Sequence, residues 1–84
     1  MTTLFMLMAQ FNSTAVAVNQ CAHLFGLSER EAMNRASANK LPIPTFRMRE
    51  SQKAPLLVHL ADLASYMDRQ RLLASDAWQK GKEL

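Results

Sequence analysis

The chain has 84 residues, 49% hydrophobic and 20% charged, with a formal net charge of +3 and a sequence pI near 9.5. Its length supports one core and one domain, and its composition excludes disorder throughout. One cysteine, Cys21, excludes an internal disulfide, and two histidines far apart supply no structural zinc ligand set.

Residues 2–11 (TTLFMLMAQF) are apolar on both alternating faces. A short segment of that kind reads as a buried strand, with a short helix as the alternative that periodicity leaves open. The run is too short to span a membrane and lacks the basic start of a signal peptide, so cytoplasmic residence is the expectation. Residues 12–14 are a polar turn, and residues 15–18 extend as a second short strand.

A helical period follows. Val18, Cys21, Ala22 and Phe25 stand at i, i+3, i+4 and i+7, one face of a two-turn helix. Gly26 then occupies the position of a C-terminal cap, where a left-handed conformation costs glycine nothing. Ser28-Glu29-Arg30-Glu31 forms a capping box that opens a second helix over residues 29–39. Pro42 limits that helix, because the residue before proline avoids helical geometry. Helix, tight turn and helix together outline a helix-turn-helix.

On the second helix, Ala32, Met33 and Ala36 gather on an inward side, while Arg30, Glu31, Asn34, Arg35 and Ser37 fan across the other. Arginine pairs with guanine O6/N7 and asparagine with adenine N6/N7, so Arg30, Asn34, Arg35 and Ser37 are candidates for contacts to base edges. The competing reading is a solvated face with a Glu31–Arg35 ion pair at i, i+4.

Residues 41–49 alternate as a half-exposed strand: Ile43, Thr45, Arg47 and Arg49 on one side, Pro44, Phe46 and Met48 on the other. Residues 50–53 make a polar loop with a Ser-Gln-Lys tip, and residues 55–58 return as an apolar strand. The product is a hairpin following a helix-turn-helix, which is a wing. Lys40, Arg47, Arg49 and Lys53 suit phosphate contacts, which position a protein without reading sequence. An edge hairpin protected by its charges fits the same residues.

A long helix begins at Leu60, with Leu60, Leu63, Ala64 and Met67 as its apolar stripe and His59 in the N-cap slot. The pattern continues less clearly through Leu72, Leu73, Ala77 and Trp78 to Lys82. The domain reading is therefore residues 1–72 as a winged helix-turn-helix, with residues 73–84 as a helical extension or tail. The fold class is α+β, with three main helices, a β-hairpin wing and an N-terminal strand.

Charge follows the same division. Six of the ten Lys and Arg residues lie between residues 30 and 53, with only Glu31 and Glu50 among them, and none precedes residue 30. That is an apolar scaffold carrying one basic face, and double-stranded DNA is the expected partner. Catalysis has little support. His23 and Cys21, two apart on a helix, diverge, as do Asp62 and Asp68, six apart. With only Gly26 and Gly81 there is no glycine-rich phosphate loop, and no cofactor is called for. Cys21 reads as a small buried hydrophobe.

Four stretches carry a resemblance: Leu4 to Phe11, Leu41 to Arg47, Ser51 to Ala54 and Val58 to Arg71 (VHLADLASYMDRQR). In their order and spacing they resemble the pyocin activator (PrtN) family across most of residues 1–72, and more widely the excisionase and MerR-like winged-helix group. The resemblance implies a transcription activator of bacteriocin or prophage genes, with RNA polymerase as a second partner. A homo-oligomer on repeated half-sites is the expected assembly. It equally admits an excisionase-type recombination directionality factor. A protein-interaction module on the same scaffold is a further reading, kept open by Glu29 and Glu31 in the second helix. The likeness is weakest over residues 12–39, so no target sequence carries over, and His59 stands where the wider group favours Ser or Thr.

Overall fold

The computed structural model describes residues 2–51 and 53–82. The protein is α+β: helix α1 (Thr3–Phe11), strand β1 (Ala15–Ala17), helix α2 (Val18–Cys21) running into a 3-10 turn (Ala22–Phe25), helix α3 (Glu29–Ser37), strand β2 (Leu57–His59) and helix α4 (Leu60–Lys82).

The N-terminal segment corrects the strand reading. Thr2 caps α1 by accepting a hydrogen bond from the Phe5 N–H at 3.1 Å, and Asn12 ends the helix in the left-handed region. Leu7 is buried, and Leu4, Met8 and Phe11 pack on the same core, a helical i, i+3, i+4, i+7 stripe. Phe5 and Met6 face outward. Leucine, methionine and alanine favour helix, and α1 gains its stability by packing on α4. The Thr3 hydroxyl donates to the Asp68 carboxylate at 2.6 Å, tying the first turn of α1 to α4.

The sheet also departs from the expected hairpin. β1 and β2 pair antiparallel, with Val16 opposite Val58, across some forty residues of chain. Val18 N–H to Leu56 C=O and Leu60 N–H to Thr14 C=O extend the ladder by one bond at each end. Residues 41–49 form no strand; the only pairing there is a single antiparallel bridge between Phe46 and Leu57, closed by bonds of 3.0 and 2.7 Å. Pro42 and Pro44 remove two backbone donors, so this stretch cannot sustain a ladder. Gln52, in the expected loop tip, lies outside the described residues.

The core sits where these elements meet. Val18, Cys21, Val58, Leu60 and Leu63 are its largest fully buried side chains, joined by Ala32, Ala36 and Ile43. The periodicity expected for α2 and its 3-10 continuation holds, with Val18, Cys21 and Ala22 buried and Phe25 half-buried against Tyr66 at a ring separation of 5.9 Å. His59 does fill the cap of α4, its Nδ1 accepting from the Ala61 N–H at 3.0 Å. From Asp68 to Lys82 every side chain of α4 is exposed, Leu72, Leu73 and Trp78 among them. No helix among the described residues is long and apolar enough to cross a membrane.

Candidate nucleic-acid interface

The placement of α3 follows from its two ends and its back. At the front, the Ser28 hydroxyl accepts from the Glu31 N–H at 3.1 Å, and Glu29 and Glu31 favour the positive end of the helix dipole. The preceding turn closes with Gly26 at φ +72°, Gly26 N–H to His23 C=O and Leu27 N–H to Ala22 C=O, a Schellman motif. The rear of α3 ends in the same way. Asn39 takes φ +58°, its N–H reaching Ala36 C=O at 3.0 Å, and Lys40 N–H reaches Arg35 C=O at 2.7 Å. The helix therefore stops at Ser37, two residues short of the sequence reading, because Asn39 tolerates the left-handed turn that ends it.

Ala32 and Ala36, 0% and 5% exposed, form the back of α3 and let it sit close to its neighbours. Arg30, Asn34, Arg35 and Ser37 are all exposed. At roughly 100° per residue, Arg30, Asn34 and Ser37 share one outward stripe with Asn34 opposite the two alanines, and Arg35 lies on its flank.

Beyond Lys40 the chain drops Ile43 into the core and then rises as an arm over residues 46–51. The Phe46–Leu57 bridge anchors the arm, and the Arg47 Nε–H donates to the Ala54 carbonyl at 3.0 Å. Arg47 is thus partly engaged by the protein itself. Between the arm and the end of α3 lies an open cleft of about 610 Å³. Ser37, Asn39, Thr45, Arg47, Arg49 and Glu50 give it polar walls, with Ala36, Phe46 and Leu56 among its apolar lining.

The cleft unites only part of the expected set. Ser37, Arg47 and Arg49 meet around it, Arg30, Asn34 and Arg35 occupy the outer face of α3, and Lys40 and Lys53 are exposed outside the lining. Asn39, Thr45, Met48 and Glu50 join the site without having been singled out. Strand alternation separated Met48 from Arg47 and Arg49, whereas an irregular arm brings all three to one cleft. Asn39 carried a usable signal, since asparagine just past a helical run is a common left-handed cap.

Groups suited to other chemistry are few. The Cys21 thiol is buried, donates to the Val18 carbonyl at 3.5 Å, and has its pKa pushed up by burial. Among the described residues, no three His, Cys, Asp or Glu side chains are grouped to hold a metal ion.

The family model for pyocin activator protein PrtN matches residues 3–74. No curated protein and no solved structure matches the chain. Because the family match begins in α1, takes in α3 and the arm, and ends within α4, the chain belongs to the pyocin activator protein PrtN family.

Proposed function

We propose that the protein is a winged helix-turn-helix DNA-binding activator of bacteriocin or prophage genes, with no catalytic activity, working in the cytoplasm. α2 and its 3-10 continuation, the Gly26 turn and α3 supply the helix-turn-helix, and the arm stands in for the wing. α3 lies in a major groove, about 12 Å wide. Arg30, Asn34, Arg35 and Ser37 reach base edges, and Lys40, Arg47, Arg49 and Lys53 hold phosphates. One such domain covers a short site, so copies act together on repeated half-sites. RNA polymerase is the partner through which binding becomes activation.

The observation that carries this reading is the two-sided character of α3. Its back is buried alanine, its front is exposed arginine and asparagine, and a cleft with two arginines opens at its end. Family membership supports the activator role.

Selecting bound fragments from the source genome and footprinting the best of them tests the proposal. Replacing Arg30, Asn34 and Arg35 together by alanine should flatten discrimination among fragments, each lost base contact being worth ~1–3 kcal/mol. Unchanged discrimination would remove α3 as the reading element. A reporter assay beside an excision assay on the same fragments separates activation from a role in recombination.

A further inference from the structure

Met48 is 79% exposed, more than any other large hydrophobic among the described residues. It stands between Arg47 and Arg49 on the arm, and all three line the cleft at the end of α3. Single exposed apolar side chains are ordinary; the mounting of this one is not. The arm is pinned by the paired Phe46–Leu57 hydrogen bonds and by Arg47 Nε–H to the Ala54 carbonyl. Ser51 N–H to Arg49 C=O at 2.8 Å tightens its far side. An apolar side chain is thereby held out in water on an anchored arm, with an arginine next to it in the chain on either side.

On a DNA duplex, the groove next to the one occupied by α3 lies across a single sugar-phosphate strand. The cleft between α3 and the arm is open, and Ser37, Asn39 and Thr45 offer hydrogen bonds along it. Arg47 and Arg49 outnumber its one carboxylate, Glu50. A backbone strand passing through that trough puts α3 in the major groove and the arm at the adjacent minor groove. There, arginines at the rim of the groove pair with the phosphates of its walls. Apolar side chains, methionine among them, wedge between base steps, unstack them and kink the duplex. Methionine suits the task because it is unbranched and adapts its shape.

We infer that Met48 is a minor-groove wedge, flanked by Arg47 and Arg49, that unstacks one base step and bends the DNA held by α3. The inference rests on the DNA-binding reading above and adds deformation to it. A partly unstacked pyrimidine–purine step is the chemistry it selects, since such steps kink most easily.

The test uses the full chain and a duplex enriched by it from a randomised library. 2-Aminopurine is placed at successive steps, and dyes at the two ends report bending by energy transfer. The wild-type chain should raise 2-aminopurine fluorescence at one step outside the major-groove footprint and shorten the end-to-end distance. Met48→Ala should abolish both signals while keeping affinity within about tenfold, because the phosphate contacts that carry most of it remain. Met48→Leu should restore both. Binding by the wild type with no unstacked step overturns the wedge and leaves the DNA reading intact, as does full unstacking by Met48→Ala. If Met48→Ala unstacks normally yet fails to activate in a polymerase-dependent assay, Met48 belongs to a protein contact and the wedge is wrong. Failure to enrich any duplex at low salt removes the DNA reading and the wedge with it.

Discussion

Salt dependence gives the sharpest check on the basic arm. Lys40, Arg49 and Lys53 are exposed, and Arg47 lines the cleft while spending its Nε–H on Ala54. Four phosphate contacts give a slope of log affinity against log salt of about −3.6 for one subunit. Raising salt fourfold should then cost about 150-fold in affinity. Arg49→Gln removes one contact, leaving a slope of about −2.7 and a loss of about 40-fold over the same range. Arg47→Gln should shift the slope similarly and also loosen the arm, because its Nε–H bond to the Ala54 carbonyl goes too. Lys80→Gln, on the exposed far half of α4, is the control and should leave the slope unchanged. Fluorescence anisotropy with one labelled duplex across a salt series reads all four proteins. A slope that Arg49→Gln does not change, or that Lys80→Gln changes equally, would refute the placement of phosphate along the cleft.

Other outcomes follow from the packing around α3 and α4. Ser28→Ala removes the hydroxyl that accepts from Glu31 N–H, so it should cost about 1 kcal/mol in a denaturant melt and weaken base discrimination as the first turn carrying Arg30 frays. Leu63, 1% exposed, should cost about 2–5 kcal/mol when cut to alanine, a large share of the roughly 4–12 kcal/mol available to a domain of this size. Burial raises the folded pKa of Cys21 above its unfolded value. Its stabilising effect is complete below the unfolded value and is lost as pH rises through the folded one, so melts should weaken only at alkaline pH. The native thiol should accordingly resist alkylation at neutral pH until the chain unfolds.

Caps and stripes made most of the helical structure legible in the sequence. Ser28, Gly26 and the apolar spacing from Leu60 to Met67 are local signals; the structure uses Gly26 and the stripe as read, and keeps the Ser28 half of the capping box, its hydroxyl accepting from Glu31 N–H. α1 was ambiguous for a physical reason: Leu4, Leu7, Met8 and Phe11 satisfy a helical stripe, while Phe5 and Met6 between them fill both faces of a strand pattern. The decision came from α4, which offers one face to pack against. Strand pairing was less accessible. β2 lies beside β1, and nothing near residue 57 announces a partner at residue 17. Alternation through residues 41–49 suggested a hairpin ladder with the following strand, which Pro42 and Pro44 reduce to the one Phe46–Leu57 bridge. The exposed residues of α3 followed from periodicity, whereas the cleft depends on the tertiary approach of the arm to Asn39.

The short ladder between residues 14–18 and 56–60 acts as a clasp. α1 leads into it and α4 leads out of it, and α2, α3 and the arm form a single excursion of chain between its two strands. The entropy of closing so long a loop is met once, at this junction. Loosening Val16 against Val58 should therefore release the whole head from its base, so tolerance to change ought to be lowest at two of the smaller side chains in the molecule and higher along the bare end of α4.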